Sequence, residues 1–391
     1  METTDSKPKA KVLPFPVYYG VVAFLAMSGI GVSLYLAISH YKVFTDIGYK
    51  SFCALSKAIN CDTVAQSPYA IFAGVPVAVW GMIGYVIFLL ISTVVWRRDA
   101  EKKRGWALLS FMAGIFSLVS VALAAVSSLI IHSYCIMCLI SYGINFLLLY
   151  FAWLIRRRFD QAPWIMALRE DLAFFSQRRR MSAVGLAVAI SIVGVTMGAY
   201  PDYWALEQPL LEEHIATGVT EEGHPWIGAQ DPDLEIVEFG DYLCFQCKKM
   251  HYFLRELVAR YPDRIRLIHR HFPMDHKFNP IVKDAYHVGS GKLALLAIYA
   301  TVEGRFWEFN DVVYHHARGS GGMSITQMAE LSGLDANRMA AYFDTPEMKL
   351  HLKRDILTGI HLGMEGTPGF LIDGQLYQGQ IPPEILKRFI D

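Results

Sequence analysis

The sequence predicts an α-helical membrane domain, a four-helix bundle followed by a fifth transmembrane helix, and then an α/β domain in water. Hydrophobic residues make up 53% of the 391 residues and charged residues only 18%, and the apolar residues are concentrated in the first half. This composition is too apolar for a soluble protein of this size. The second half opens instead with the alternating, strand-like segment LEIVEFGDY, which a helical pattern follows.

Five apolar runs in the first half are long enough to cross a bilayer. They cover residues 17–39, 76–95, 106–131, 136–155 and 181–200. Residues 1–16 are polar and lack a signal-peptide cleavage site, which indicates a cytoplasmic tail. We therefore expect a four-helix membrane domain over 17–155, a cytoplasmic loop over 156–180 and a fifth span over 181–200.

Basic residues predict the side on which each loop lies, because Lys and Arg collect in short cytoplasmic loops. Three basic clusters are present, namely Arg97, Arg98, Lys102, Lys103 and Arg104, then Arg156, Arg157 and Arg158, then Arg178, Arg179 and Arg180. The turn HSYCIMC between the third and fourth spans has no Lys or Arg, so we expect it outside. An odd number of spans leaves everything beyond residue 200 outside as well.

The loop over 156–180 carries apolar residues at helical spacing among its arginines. They are Trp164, Leu168, Leu172 and Phe175. The pattern fits a helix lying on the cytoplasmic membrane surface, and it fits a plain solvated loop equally well.

Residues 201–233 are acidic and polar and contain Pro and Gly, which indicates a linker. We therefore expect the α/β domain to cover 234–391. The formal net charge is zero and no long basic block lies in the second half, which excludes a nucleic-acid partner.

The six cysteines form three close pairs with none left over. The pairs are Cys53 with Cys61, Cys135 with Cys138, and Cys244 with Cys247. Such pairs can be structural disulfides, zinc ligands or small buried hydrophobic residues. The predicted topology places all three on one side of the membrane, the oxidising side, which favours redox chemistry. No pair has a second pair or paired histidines nearby, so we expect no metal.

Four histidines outside these pairs lack partners at metal-ligand spacing, and we interpret them as surface or interface residues. They are His40, His132, His315 and His316.

The C-x-x-C of Cys244 and Cys247 lies between a predicted strand and a predicted helix. A thiol at a helix N-terminus meets unpaired N–H groups and the helix dipole, which stabilise a thiolate. We therefore predict Cys244 as the nucleophile and Cys247 as its resolving partner. The intervening residues, Phe245 and Gln246, leave the preferred direction of electron flow open.

This segment resembles the thioredoxin superfamily, and most of all its DsbA branch. The resemblance implies a proton-handling role for Glu238, which precedes Cys244 by six residues. It implies a cis-proline loop at Thr367 and Pro368 that pairs with bound substrate, and a helical insertion over about 280–364.

Residues 17–155 resemble the vitamin K epoxide reductase family. The features that carry the resemblance are SLY at 33–35, Cys53, Cys61, Ser67 and the segment CIMCLISYGIN at 135–145. With the fused second domain they look like the bacterial form of the family. The resemblance implies that the loop pair shuttles electrons to the C-x-x-C beside a quinone. It also implies that Tyr142 lines the quinone pocket and that Ser67 lies near the active cysteines.

The position of Cys135 and Cys138 at the membrane boundary agrees with this, because a thiolate deeper in the bilayer would be costly. We expect Cys138 nearest the quinone ring and Cys135 attacked from outside. Spacing alone lets Cys53 and Cys61 act as a relay or as a structural staple, and the family resemblance favours Cys53 as the one that exchanges with Cys244.

Together these features predict an enzyme of a bacterial inner membrane with its thioredoxin-like domain on the periplasmic, extracytoplasmic side. Electrons would pass from reduced secreted or periplasmic proteins through the three pairs to the membrane pool of ubiquinone or menaquinone, by successive thiolate attacks on disulfides. Two alternatives stay open: a reductase or isomerase with outward electron flow, and a redox-sensing membrane protein without turnover.

Overall fold

The computed structural model describes residues 13–55, 58–96, 105–159, 162–206, 215–316 and 323–390. The chain divides into two compact units, Met1–Trp204 and Ala205–Asp391. Most of the predicted tail, the basic loop over 97–104 and the acidic residues Glu212 and Glu213 lie outside the described residues.

The first unit is helical, with one short hairpin. Its elements are α1 (Phe15–Thr45), α2 (Cys61–Ala65), β1 (Ile71–Phe72), β2 (Val75–Pro76), α3 (Val77–Trp96), α4 (Trp106–Val126), α5 (Ile136–Phe159), α6 (Trp164–Gln177) and α7 (Arg179–Ala199). A π-helical turn extends α4 to Ile131. Among the described residues, five helices are long and apolar enough to cross a membrane, which confirms the predicted membrane fold. The first span, predicted over 17–39, is longer and continues to Thr45.

The bundle packs α1, α3, α4 and α5 around a buried apolar core. Gly29 lets α1 approach α3 closely, since a Cβ there would lie 2.6 Å from the Tyr85 ring. The Tyr85 hydroxyl donates to Asn145 Oδ1 at 2.6 Å, and Asn145 Nδ2 donates to Ser120 Oγ at 2.8 Å. These buried hydrogen bonds connect α3, α5 and α4, which fixes how the helices face one another.

The segment predicted as either a surface helix or a solvated loop is the helix α6. Ala167, Asp171 and Phe174 are its buried residues, while Trp164 and Leu172 are exposed in the isolated chain. Asp171 accepts the Gly105 N–H at 2.6 Å and the Leu108 N–H at 3.0 Å. Its carboxylate therefore caps the N-terminus of α4, where the helix dipole favours a negative charge.

We expect Asp171→Ala to lower the stability of the membrane domain by about 1–3 kcal/mol, because two N–H groups lose their acceptor. Arg169→Ala, at an exposed position of the same helix, is the matched control and should change stability little. Thermal unfolding of the detergent-solubilised protein measures both. Equal melting temperatures for the two variants would contradict the capping role.

The second unit is an α/β domain with a six-stranded sheet. Its elements are β3 (Thr217–Val219), β4 (Pro225–Gly228), β5 (Leu234–Gly240), α8 (Phe245–Arg260), β6 (Ile265–His271), α9 (Ser290–Val302), α10 (Phe306–His316), α11 (Ile325–Leu331), α12 (Ala336–Tyr342), α13 (Pro346–His361), β7 (Gly369–Ile372), β8 (Gln375–Gln378) and α14 (Pro383–Ile390). The strand order is β3-β4-β6-β5-β7-β8, and only β5 and β6 run parallel. The helices α9 to α13 stand between β6 and β7, as the predicted insertion requires.

The prediction that 201–233 is a linker is wrong over part of its length. Both β3 and β4 lie within it, and Trp226 of β4 pairs with Ile268 of β6. The sequence signal was weak because β3 has three residues and β4 four, with Pro and Gly at the ends of β4. Pairing of β4 with the long strand β6, and of β3 with β4, stabilises them, and local propensity does not.

Candidate active sites

Cys244 is the N-cap residue of α8, directly after the turn that follows β5. Asp241 shapes this turn, because its Oδ1 accepts the Leu243 N–H at 2.7 Å and its Oδ2 accepts the Met274 N–H at 2.6 Å. The thiol of Cys244 is partly exposed, whereas Cys247, one helical turn further on, is fully buried. An accessible first thiol and a buried second thiol suit the roles of nucleophile and resolving partner that the sequence predicts for them.

The two thiols of this pair have opposite pKa shifts. A hydrogen bond from Cys247 and the charge of His287 lower the pKa of Cys244 to about 6, although burial opposes them. Burial and the neighbouring Cys244 raise the pKa of Cys247 well above its usual value. At neutral pH Cys244 is therefore a thiolate, the nucleophilic form, and Cys247 is a thiol.

We expect Cys244 in the reduced full-length protein to react with iodoacetamide at a rate that rises with pH and is half-maximal near pH 6. Because the His287 charge lowers this pKa, His287→Ala should move the midpoint to higher pH. Peptide mapping by mass spectrometry separates Cys244 from the other cysteines. A midpoint near pH 9 in the unaltered protein would contradict the assignment.

Glu238 lies on β5, fully buried, and contacts two histidines. Its Oε2 is 3.0 Å from His251 Nδ1 and 3.4 Å from His269 Nδ1. Burial would raise the pKa of Glu238, but the His251 charge and the hydrogen bonds from both histidines lower it to about 2. Glu238 is thus an ionised carboxylate in a buried network, and its proton-handling role stays a prediction.

The carboxylate that acts directly on the cysteine pair is Asp241, which the sequence analysis missed. The Asp241 N–H points at Cys247 Sγ at 3.4 Å, and the Asp241 charge raises the pKa of both thiols. His287, whose charge lowers the pKa of Cys244, also contacts this carboxylate: its Nδ1 lies 3.1 Å from Asp241 Oδ2. The position of Asp241, between the strand and the C-x-x-C, was the available signal, whereas nothing local singled out His287.

Thr367 and Pro368 lie beside Cys244, as the family resemblance implied. The peptide bond between them is cis. The Cys244 thiol is 3.5 Å from the Thr367 carbonyl oxygen, and the Pro368 carbonyl accepts the Gly379 N–H at 2.8 Å. Pairing with a bound substrate stays a prediction for this loop.

In the membrane unit, Cys53 and Cys61 form a disulfide, and Cys135 and Cys138 are free thiols. Cys53, Cys61 and Cys135 are buried in one cluster, against which Cys138 packs. A backbone hydrogen bond holds the loop that carries Cys53 and Cys61 beside the turn before α5, since the Asn60 N–H donates to the Tyr134 carbonyl at 2.9 Å. The cysteines that the sequence placed far apart therefore meet at the N-terminus of α5.

A cavity of about 350 Å³ adjoins this cluster, within the range of small-molecule sites. Three residues predicted for the quinone site, Cys138, Tyr142 and Ser67, line it. Its walls are otherwise mostly apolar, and its other polar residues are Ser33, His40, Tyr69, Trp80, Tyr85, Ser120, Ser127, Ser141 and Asn145. The cavity thus combines apolar walls with a few polar groups.

The sequence predicts His40 as a surface or interface residue, and the surface position is wrong because His40 is buried. Its side chain is 3% exposed and lines the cavity. His132, His315 and His316 are exposed, as expected.

Two groups of side chains in the described part of the chain bring metal-ligand atoms together. They are Glu238, His251 and His269, and His224, His351 and Asp355, each within 4.8 Å. Asp355 accepts hydrogen bonds at both oxygens, including one from Arg270 Nε at 3.1 Å, whereas Glu238 contacts its two histidines through Oε2 alone. We interpret both as hydrogen-bonded networks.

Comparison with known protein families agrees with this architecture. Residues 20–153 match the model of the vitamin K epoxide reductase family, and residues 220–391 match a thioredoxin model. The chain fuses a vitamin K epoxide reductase family domain to a thioredoxin-like domain. The predicted fusion of these two kinds of domain is therefore confirmed.

The similar individual proteins each match less than half of the chain. A Na(+)/H(+) antiporter NhaA of Herminiimonas arsenicoxydans is 26% identical over 152 residues, which is 39% of this chain and 22% of the antiporter. The chain thus spans about a quarter of the length of the curated relatives it matches. A thioredoxin-like oxidoreductase from Silicibacter pomeroyi DSS-3 is 26% identical, with a TM-score of 0.36 and coverage of 43% of this chain and 91% of that one. Oxidised BdbD from Bacillus subtilis is 16% identical, with a TM-score of 0.35, over 45% and 96% of the two chains.

Proposed function

We propose that this fusion protein oxidises the dithiols of secreted or periplasmic proteins and transfers the electrons to ubiquinone or menaquinone. The observation that carries the proposal is the cluster in the membrane domain. There the Cys53–Cys61 disulfide packs with the reduced Cys135, and Cys138 lines the adjoining cavity. A disulfide beside a dithiol at such a cavity is the arrangement that a relay to a lipid-soluble acceptor needs.

The electrons enter at the thioredoxin-like domain. A client thiolate attacks Cys244 of the Cys244–Cys247 disulfide, and the second client thiol releases the oxidised client. The reduced pair then attacks the Cys53–Cys61 disulfide, which in turn is regenerated by the Cys135–Cys138 disulfide. Each step exchanges one disulfide for one dithiol through a mixed disulfide.

The direction of flow follows from the stability of the Cys244 thiolate. A thiol with a pKa of about 6 is a good leaving group, and its stable thiolate favours the reduced form of the pair. A domain that is stable when reduced is an oxidant of its clients. This supports the oxidase over the reductase or isomerase.

In the membrane domain, Cys138 transfers the electrons and the cavity residues Tyr142 and Ser67 border the acceptor site. Quinone, as the substrate of this last step, supplies the two-electron oxidation that completes the cycle. The apolar walls exclude water, and the few polar groups are available to its carbonyl oxygens.

Two measurements in cells test the proposal against its alternatives. Trapping of the thiols should find Cys244 and Cys247 mostly oxidised, whereas a reductase would keep them mostly reduced. A membrane-impermeant thiol reagent, applied after reduction, should reach Cys244 from the extracytoplasmic side. Labelling of Cys244 only after the membrane is broken would overturn the proposed sidedness.

A further inference from the structure

His40 lies near the C-terminal end of α1 with its two ring nitrogens in different surroundings. Nδ1 is 2.7 Å from the Tyr203 hydroxyl, which belongs to the segment that follows α7. Nε2 is buried and has no hydrogen-bond partner among the described residues. Because His40 lines the cavity that also holds Cys138, a ligand in that cavity is the available partner for Nε2.

Aromatic side chains fix the orientation of this imidazole. The ring centroid of His40 lies 5.0 Å from that of Phe44, 5.6 Å from Tyr203 and 6.2 Å from Trp204. A buried polar nitrogen without a partner destabilises the folded state, so a fixed ring with one unsatisfied nitrogen is unusual in a folded protein. Such groups mark positions where a ligand completes the hydrogen bonding.

The Tyr203 hydroxyl determines which nitrogen carries the proton. Burial, together with the hydrogen bond to Tyr200, raises the pKa of Tyr203, so this hydroxyl stays protonated. When it donates to Nδ1, the neutral imidazole carries its own proton on Nε2. His40 then presents an N–H donor to the cavity.

We infer that His40 donates a hydrogen bond from Nε2 to a carbonyl oxygen of the quinone and delivers this proton as the electrons arrive. The inference rests on the proposed function and deepens it. Overall, the Cys135–Cys138 dithiol loses two electrons and two protons as its disulfide forms, and the acceptor gains the same number. One proton reaches the acceptor from His40 Nε2, while Nδ1 takes a proton from the Tyr203 hydroxyl, which regains one through water from the proton that Cys135 has released. The second proton, released by Cys138, passes to the other carbonyl oxygen. Exchange with water then moves the imidazole proton from Nδ1 back to Nε2, so that Tyr203 donates to Nδ1 again.

Binding without turnover tests the hydrogen bond. The fully oxidised protein has no dithiol, so menadione, a naphthoquinone, binds to it without reacting, and quenching of tryptophan fluorescence reports the affinity. His40→Phe keeps an aromatic ring but removes the donor, and we expect it to raise the Kd roughly tenfold. His40→Gln retains an N–H donor and should keep the Kd within about threefold of the unaltered protein.

Turnover of the reduced protein tests the proton transfer. His40→Gln binds but cannot relay a proton, so we expect quinone reduction to slow by about a hundredfold. Tyr203→Phe should slow it too, by about tenfold, because Nδ1 loses its proton source. Tyr150→Phe is the matched control, since Tyr150 is an exposed tyrosine of α5 that does not line the cavity, and it should leave the rate unchanged.

The outcomes separate the inference from the proposed function. The inference is overturned if His40→Phe binds menadione as tightly as the unaltered protein, or if His40→Gln weakens binding as much as His40→Phe does. In either case, quinone reduction by the unaltered protein still supports the proposed function. If the unaltered protein reduces no quinone, the proposed function itself fails. Melting temperatures identify any variant that does not fold. If His40→Phe is one of them, the menadione affinity of His40→Gln decides, since the inference requires this donor-keeping variant to bind like the unaltered protein.

Discussion

Replacing Cys138 with Ala is expected to reduce the rate of quinone reduction by about a thousandfold or more, because the nucleophilic group nearest the acceptor is removed. Cys138 lines the cavity, and its N–H donates to Cys135 Sγ at 3.2 Å, so the two cysteines act as one pair. Loss of either one leaves no dithiol to form a disulfide. The measurement follows quinone absorbance with a reduced, unfolded client as the electron donor.

The matched control for this variant is Leu139→Ala, the next residue on α5, which is 48% exposed in the isolated chain. It should reduce quinone at nearly the unaltered rate. The step between the client and the thioredoxin-like domain does not involve Cys138. The Cys138→Ala protein should therefore still oxidise a client once, through its Cys244–Cys247 disulfide. A Cys138→Ala protein that reduces quinone as fast as the Leu139→Ala protein would show that the order of electron transfer is wrong.

Replacing Cys247 with Ala is expected to convert transient mixed disulfides into stable ones. Cys244 is accessible and its pKa is about 6, so it still reacts, but the buried resolving thiol is gone. Adducts between Cys244 and a cysteine of the membrane domain should therefore accumulate from a trace to the main species, because Cys247 is the thiol that resolves this mixed disulfide. Gel electrophoresis without reductant, followed by peptide mapping, detects them.

This variant also identifies the partner of Cys244 in the membrane domain. An adduct with Cys53 would agree with the family resemblance, and one with Cys61 would reverse that assignment. Cys244→Ala is the control and should form neither kind of adduct through this domain. Equal adduct levels in the two variants would contradict the nucleophilic role of Cys244.

The sequence predicted the architecture well because its strongest signals are local. Apolar length, basic loops and cysteine spacing each depend on neighbouring residues, and five membrane helices and a thioredoxin-like domain with a helical insertion are present. Local signals failed where pairing partners lie far apart. The strands β3 and β4 were taken for a linker because sheet pairing stabilises them, that of β4 with the distant strand β6 and that of β3 with β4.

The same reason explains which site residues were missed. His40 and Tyr203 are 163 positions apart, so no spacing rule could connect them. His287 is 46 positions from Asp241 and meets it only in the folded domain. By contrast, Cys138, Tyr142 and Ser67 were predicted together from a family pattern, and all three line one cavity.

The most direct test of the account is the stoichiometry between disulfides formed in a client and quinone consumed. With the purified protein in detergent, a reduced client and a known amount of quinone in the absence of oxygen, we expect one quinone to be reduced for each client disulfide. Client oxidation that continues at the same rate and extent without quinone, or quinone loss without new client disulfides, would contradict the proposed pathway.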